Sequence, residues 1–589
     1  MEHYDVSAVT ERLRKDRSLN TLFAVVRSYD TEVAARWLER GEERSMTFAE
    51  LASRCDDCAA RLYSLAPEGG WIAISVDTCP EWPILYWGVM RSGHNALLLD
   101  ASAPDSLIQS LMEEAGCRMI LGKKPRKLSP GFRQVDFRSV TDVPHTEGFQ
   151  PIWGSWTAMC TSGTTGHSRI FAYSGAALCE QALNSELILR ENRRVIANEN
   201  RRFLAFLPFH HVLGFMANVI WGGFVGMTSI YLADRAPETL MATCQRLQPQ
   251  LLVVVPLVGN SMVRALERKL KKQSPLRQTA FRFLSGLSMA LQRLAPDAAL
   301  RLAEKHLFAG VNRQLLGTEV QCIILGGGHT PKKTLRTLNA LGYSTIIGYG
   351  MTETAITGLE TSLRLGRRLS GSVGKALETA EYRVVSENGD PLTGAGSGEL
   401  QIRGSGIHSG RLIHGEVLPP ETLEGGWYPT GDIVRKDGAG RIYIRGRLKD
   451  VIINDTGENI YPDDLEDAFA GMSGVEQLCV LGLTRGRRDR NEDVTLVLNI
   501  SNRYGDEAFL SSLAGEVSRR NAGLPLGSRV SRVLVTSESL PLASGIKVKR
   551  LELKRRFAEK ELVCKELDLV SGAAGTEQGA PYRPSGDAA

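Results

Sequence analysis

The 589-residue chain contains no long hydrophobic run. The longest, Leu251 to Val258, is interrupted by Pro256 and is far too short to span a bilayer. The first twenty residues are charged and polar, so no secretory leader is read there. Paired cysteines are also missing. The ten cysteines are scattered, most of them in apolar runs, and Cys55-Asp-Asp-Cys58 is the one C-x-x-C. It lies in a helical pattern from Thr47 to Leu65, with no second pair and no histidine cluster nearby, which argues for two reduced cysteines on a helix against a zinc or redox centre. Such cysteine usage suits a reducing cytoplasm. Charge is not concentrated either: a net +5 on this length does not make the basic face of a nucleic-acid binder.

What the chain does contain is the composition of a globular protein, 43% hydrophobic and 23% charged, at a length that suggests two to four domains or subdomains. From about residue 20 to 445, amphipathic helical stretches alternate with short apolar runs such as Trp71–Val76, Asn95–Leu99, Leu204–Leu207, Leu251–Val255, Cys322–Leu325 and Thr345–Ile347. Continuous apolar strands between helices mean sheets buried on both faces, an α/β architecture. Residues 375–445 hold short strands and turns such as Glu387-Asn-Gly-Asp390 and Lys436-Asp-Gly-Ala-Gly440, a small β-rich subdomain. Beyond Arg445-Gly-Arg-Leu-Lys-Asp450 lies an α+β pattern, with strands at Gln477–Leu483 and Val494–Asn499 and helices near Asp463–Ala470 and Glu507–Asn521. Ser571 to Ala589 has little to bury and reads as a disordered tail.

Residues 262–320 carry eleven Lys/Arg against four Asp/Glu, with apolar residues at helical spacing (Phe281, Phe283, Leu284, Leu287, Leu291). Two readings exist: a helix pair resting on anionic membrane, or a solvated basic face over an ordinary core stripe. The second is preferred.

Thr161-Ser162-Gly163-Thr164-Thr165-Gly166 packs four hydroxyls and two glycines into six residues, followed by Arg169. Nothing in it can fill a core; glycines admit a ligand close to the backbone, and hydroxyls and N–H groups donate to phosphate oxygens. It is not a Walker loop, since His167-Ser168-Arg169 follows the second glycine. Gly348-Tyr349-Gly350-Met-Thr352-Glu353-Thr354 ends a strand with a ring that can stack on a base, a hydroxyl for a phosphate and a carboxylate for Mg2+. Gly326-Gly327-Gly328-His-Thr-Pro331 offers bare backbone to line an adenine. Tyr428-Pro-Thr-Gly-Asp432 places a carboxylate that suits a ribose diol. Leu540-Pro-Leu-Ala-Ser-Gly-Ile-Lys547 sets a lysine after a Ser-Gly turn as a charged finger. Each alone is a common loop.

In this order the five motifs resemble the adenylate-forming superfamily: acyl-CoA synthetases, peptide-synthetase adenylation domains and luciferases. The match runs from about residue 45 to 560, and Met46-Thr-Phe-Ala-Glu-Leu51 and Arg91–Asp100 also fit it. Gly446-Arg-Leu-Lys-Asp-Val-Ile452, Gly457-Glu-Asn-Ile-Tyr-Pro462 and the basic helical insert look like the long-chain fatty acyl-CoA synthetases. The resemblance implies a large N-terminal domain (1–445) of two α/β sheet subdomains plus the β-rich one, a hinge (446–450) with Lys449 at its pivot, a small mobile α+β lid (451–570) and the tail (571–589). It implies ATP, Mg2+ and CoA as cofactors. A carboxylic acid, medium- or long-chain fatty by this likeness, attacks the α-phosphate, and a thiol then takes the acyl group from the adenylate. Thr161–Gly166 and Arg169 would grip phosphates, Gly327, Gly328, Tyr349 and Gly350 the adenine, and Asp432 and Arg447 the ribose. Thr352, Glu353 (as the magnesium carboxylate) and Lys547 would serve catalysis, and losing the lysine would cost on the order of 10²–10³ in rate. The family's phosphate loop usually continues Pro-Lys-Gly; here Arg169 keeps the charge in a bulkier fork.

Pro208-Phe209-His-His211-Val-Leu-Gly214 matches the family's pocket-side histidine segment, so Phe209, His211 and Gly214 are candidate acyl-pocket residues, with a buried, hydrogen-bonded histidine as the plainer alternative. No aspartate occurs in Phe206–Phe215 for a substrate ammonium, which favours a neutral apolar acid. Trp221, Gly222 and Gly223 either shape a tunnel or serve helix packing. The acceptor is CoA or, as the rival reading, an acyl carrier protein; a non-catalytic sensor and a luciferase-type oxygenase are the readings from other classes.

Overall fold

The computed structural model describes residues 5–144, 148–161, 169–453, 459–483, 492–543 and 547–569. The expected phosphate-loop residues Ser162, Gly163, Thr164, Thr165 and Gly166, and the expected tail from Ser571, lie outside the described residues.

Two compact units are present. The larger comprises the described residues up to Arg383 together with Gln401–Pro429; the smaller comprises Val384–Leu400 and the described residues from Thr430 onward. The residues expected as the hinge therefore lie within the smaller unit.

The larger unit is α/β and is built on two sheets. One has nine strands in the order Lys375–Ala376, Ala355–Leu359, Ser344–Met351, Cys322–Leu325, Leu251–Val254, Arg202–Ala205, Thr228–Tyr231, Val33–Glu39, Glu42–Thr47. Its centre is parallel, with Leu252 opposite both Ile323 and Leu204. Every residue of Leu251–Val254 and Cys322–Leu325 is buried, as strands covered by helices on both faces must be. Hairpins close both edges. The other sheet has eight strands, in the order Glu416–Leu418, Gly410–Ile413, Ile170–Ser174, Trp156–Cys160, His94–Leu98, Gly70–Ser75, Met119–Gly122, Arg133–Asp136.

Local chemistry explains several of these elements. Helix Phe48–Leu65 starts at Thr47, whose hydroxyl accepts from Glu50 N while the Glu50 carboxylate accepts from Thr47 N, a reciprocal cap. That helix carries Cys55 and Cys58, both fully buried and free, with burial raising both thiols well above their ordinary range. The small thiol has a packing reason. A Cβ on Gly88 of the neighbouring helix Trp82–Arg91 would lie 2.5 Å from Cys58 Sγ, so the two backbones approach as closely as a cysteine facing a glycine allows.

Helix Pro275–Leu294 follows the expected core stripe only in part, with Phe281, Leu284 and Leu291 half-buried. Phe283 and Leu287 point to solvent, while Ser288, Met289 and Gln292 are buried. Helical spacing alone identifies a stripe but not the side it faces, and here the buried neighbours are polar backbone groups that serine and glutamine satisfy.

A four-stranded sheet orders Ala380–Val385, Gly396–Gly404, Tyr428–Lys436, Ile442–Arg447. The turn between the last two is the expected glycine-rich one. Asp437 Oδ1 accepts from Ala439 N and Arg441 N, and Gly440 takes φ +78°. A second four-stranded sheet, in the smaller unit, runs Gln477–Leu483, Asp493–Asn499, Arg532–Thr536, Lys565–Glu566. Its side chains alternate between two cores: Val480, Leu496, Leu498 and Val535 pack with Phe469 and Leu510, whereas Cys479, Leu481, Val497 and Leu534 pack with Leu553. Arg550, at the start of helix Arg550–Ala558, is buried among three carboxylates: Asp450 (3.3 Å), Glu466 (2.6 Å) and Asp463. It ties the turn Leu448–Asp450 to two helices.

Replacing Arg550 by Met leaves those carboxylates without their counter-charge. The smaller unit is expected to lose about 3–5 kcal/mol, read as faster amide exchange in strand Asp493–Asn499. The larger unit's strand Cys322–Leu325 keeps its protection. Equal loss in both strands would contradict the local role assigned to Arg550.

Candidate active site

In parallel α/β sheets, ligands bind beyond the carboxyl ends of the strands, where loops leave the sheet. The larger unit's candidate residues are all found at such ends. Strand Cys322–Leu325 runs into Gly326–Gly328; Gly327 sits at φ +80° with open space where a side chain would be, and Gly327 and Gly328 are exposed. Strand Ser344–Met351 is buried in its first half and half-buried from Gly348 onward, so it carries Tyr349 and Gly350 out of the core. Strand Arg202–Ala205 leads to Phe209, His210 and His211, and Trp156–Cys160 leads to Thr161.

The turn after Ser344–Met351 is the most constrained part of the site. The strand folds back at once into Ala355–Leu359, with a register shift at Tyr349/Gly350 and Ala355 at φ +54°. A Cβ on Gly350 would lie 2.2 Å from Ala355 O, so no other residue fits there. The turn's carbonyls are held from the other sheet: Tyr173 OH donates to Thr352 O at 2.7 Å. His408 holds Glu353 O twice, through its backbone N–H (3.1 Å) and through Nδ1 (2.6 Å). A carbonyl only accepts, so Nδ1 carries the proton. The His408 ring sits edge-on between Phe171 and Tyr428, and burial pushes its pKa below the ordinary range. With their carbonyls fixed, the half-buried Thr352 and Glu353 are presented on a rigid turn.

The phosphate-loop ends are clamped: Thr161 N donates to Arg169 O at 2.9 Å, and Arg169 N donates to Thr161 Oγ1 at 3.1 Å. Arg169 is exposed.

His211 and its neighbour His210 lie with ring centroids 4.2 Å apart, their planes tilted by 52°. Burial lowers both, taking His210 to about 3, so its approach to Asp100 (3.7 Å) joins a neutral ring to a carboxylate. Phe209 is buried edge-on against Trp82 and near Tyr231, and Gly214 has no spare room, its Cβ position lying 2.2 Å from Pro208 O. Trp221 is also a packing residue: it is buried in a π-helical turn, Phe215–Gly222, and its indole donates to Gln181 O at 2.7 Å. Gly222 lies on the same turn, close to Ala217 O, and Gly223 lines Val26.

In the smaller unit, Asp432 and Arg447 are cross-strand partners and form an ion pair at 2.7 Å. Arg447 Nη1 also donates to Thr430 O. Lys449 is exposed on the turn Leu448–Asp450, and Lys547 begins a two-residue strand, opposite Ala543. Two functional neighbours escaped the sequence reading, Tyr173 and His408. Each is a lone aromatic or imidazole in an unremarkable strand or loop, and no local pattern marks it. Among the described residues no group of three or more His, Cys, Asp or Glu could hold a metal. A single carboxylate, Glu353, fits magnesium, which takes its remaining ligands from phosphate oxygens and water.

These features define a nucleotide-binding α/β enzyme, and the comparisons give its family. The AMP-binding enzyme family profile matches residues 22–411, and the chain belongs to that family. A 2-succinylbenzoate–CoA ligase from Bacillus cereus (strain Q1) is 32% identical over 453 residues, covering 75% of this chain and 82% of the relative. In fold the chain matches o-succinylbenzoate CoA synthetase from Bacillus subtilis, solved with its acyl-adenylate intermediate (TM-score 0.70, 20% identity, 90% of this chain and 97% of that one). The same synthetase solved with ATP and a magnesium ion gives TM-score 0.68 at 20% identity, covering 90% and 99%.

Histidines 94, 210, 211 and 408 are all held by burial below the ordinary value of about 6.5. The unfolded chain binds these protons first, so their contribution is complete above about pH 6.5 and is lost as pH falls below it, by up to about 1.4 kcal/mol per pH unit for each histidine. The thermal midpoint is expected to drop between pH 7.5 and 5.5, and less steeply in His408→Gln. A midpoint that rises on acidification would contradict the neutral, buried state of these rings.

Proposed function

We propose that this protein is an AMP-forming acid–CoA ligase. The substrate carboxylate attacks the α-phosphate of ATP, giving an acyl-adenylate and pyrophosphate; the CoA thiol then attacks the acyl carbon, giving the thioester and AMP. One observation carries this reading. Gly327, Gly328, Tyr349, Gly350, Thr352 and Glu353 share the carboxyl edge of one sheet, in a chain of the AMP-binding enzyme family.

The chain's own residues act by positioning and by charge. The exposed backbone at Gly327–Gly328 and the Tyr349 ring take the adenine. Thr352 donates to a phosphate, and Glu353 would hold magnesium, which neutralises phosphate charge when bound. Asp432, oriented by its ion pair with Arg447, accepts from the ribose hydroxyls. Thr161 and Arg169 hold the ends of the phosphate loop. Lys547 neutralises charge building between the carboxylate and the phosphate in the first step, and Lys449 is the pivot about which it leaves for the second.

The acid is read as an aryl carboxylate of the 2-succinylbenzoate kind, in place of a fatty acid. The names of the related ligases support it, and so does the packing. A long-acyl tunnel beside the His210–His211 pair would need space where Phe209 is buried in edge-to-face aromatic contacts and Gly214 has none. CoA is preferred over a carrier protein as acceptor on the same relatives.

ATP–pyrophosphate exchange over a panel of acids tests this. Exchange with 2-succinylbenzoate is expected to exceed that with palmitate by at least about tenfold, with none for amino acids; exchange with fatty acids alone would overturn the aryl reading. Lys547→Ala is expected to lower exchange by about 10²–10³, while supplied acyl-adenylate still reacts with CoA. Equal loss of both half-reactions would remove the lysine from its role.

A further inference from the structure

Helix Pro275–Leu294 of the larger unit carries large apolar side chains on both sides: on the inner one Met289 is buried and Phe281, Leu284 and Leu291 are half-buried. Its buried side carries Ser288 and Gln292: Ser288 Oγ donates to Ala340 O (2.8 Å), Gln292 Nε2 donates to Asn339 O (2.9 Å), and Gln292 Oε1 accepts from Arg368 (2.8 Å). Its outer side carries Leu276 (79% exposed), Phe283 (69%), Leu287 (36%) and Leu294 (84%). Spacings of seven, four and seven put these four on one face, with the exposed Ala280 and Ala290 between them. Sixteen large apolar side chains are exposed among the described residues, and four of them share this helix, so they form a stripe rather than a scatter.

The surroundings are cationic. Arg264, Arg268, Lys269, Lys271, Lys272, Arg277, Arg282 and Arg293 are all exposed. The one carboxylate between residues 262 and 295, Glu267, is engaged by Lys333 at 2.7 Å. At 100° per residue, Arg277 lies about 100° to one side of the stripe, and Arg282 and Arg293 lie about 100–120° to the other. An apolar face edged by arginines on both sides is the arrangement of a helix lying in a lipid interface, with acyl chains under the stripe and lipid phosphates at the guanidinium level. A second copy of the chain fits less well, since a two-fold pairing of this face would crowd the same cations of both copies together.

We propose that the outer face of Pro275–Leu294, with the basic residues around it, docks the enzyme reversibly on an anionic lipid surface. The surface is independent of the acid the enzyme activates. The test is flotation of the full-length protein with vesicles of phosphatidylcholine alone or mixed equally with phosphatidylglycerol, at low and high salt. The wild type is expected to float with the anionic vesicles at least about tenfold more than with neutral ones, and less at high salt. The solvent-facing double variant Phe283→Ser/Leu294→Ser is expected to lose this recovery while keeping its lipid-free ATP–pyrophosphate exchange. A Phe283→Trp variant is expected to show blue-shifted emission on anionic vesicles only. Equal flotation of wild type and the serine variant would overturn the proposal. So would a wild-type dimer that the serine variant abolishes, which would assign the stripe to self-association.

Discussion

The carbonyls of Thr352 and Glu353 are held from outside their own hairpin, and the rest of the candidate site depends on that constraint. A three-residue turn bearing a threonine and a glutamate could point its side chains in many directions. Tyr173 and His408 remove that freedom by taking the two carbonyls, while Gly350 lets the returning strand pass where any side chain would collide. Because Tyr173 belongs to the eight-stranded sheet and the turn to the nine-stranded one, the same hydrogen bond joins the two sheets. Positioning of this kind is what phosphoryl chemistry asks of a protein, because it involves little covalent chemistry for side chains to perform.

A similar economy holds within the smaller unit. Asp432 and Arg447 fix one another across adjacent strands. Arg550 gathers Asp450, Asp463 and Glu466 so that the turn bearing Lys449 is anchored to the helix that follows Lys547. Buried cations serve as joints throughout the chain. In the larger unit Arg194 reaches Asp297 and Glu304, and Arg368 reaches Gln292. Each costs desolvation and is retained where several acceptors converge on one guanidinium.

Much of this was legible in the residues. Strands with a buried face announce themselves as short apolar runs, and parallel Cys322–Leu325 and antiparallel Gln477–Leu483 fall where those runs predict. Helix Phe48–Leu65 was marked by its apolar period, and its Thr47–Glu50 pair supplies the cap. The glycine-rich run Gly326–Gly328 follows a strand, as read, and leaves Gly327 and Gly328 exposed. Three things were hidden. Tyr173 and His408 act through one hydrogen bond to a distant carbonyl, a relation that exists only after folding. For Phe209, Gly214 and Trp221 residue type does not separate pocket from core, because apolar and small residues line both; the structure adds their close packing. The apolar period of Pro275–Leu294 was readable but the division between its faces was not: Phe281, Leu284 and Leu291 are half-buried while Phe283 and Leu287 face out, and Ser288 and Gln292 turn in toward carbonyls at Ala340 and Asn339.

The central claim is that the acid is activated by direct attack on the α-phosphate at this edge. Running the reaction with a substrate whose carboxylate carries oxygen-18 tests it most directly. One labelled oxygen transferred to each AMP, with none in pyrophosphate, is the predicted result. Label appearing in inorganic phosphate, with ADP as the nucleotide product, would mean an acyl phosphate had formed and would contradict the account.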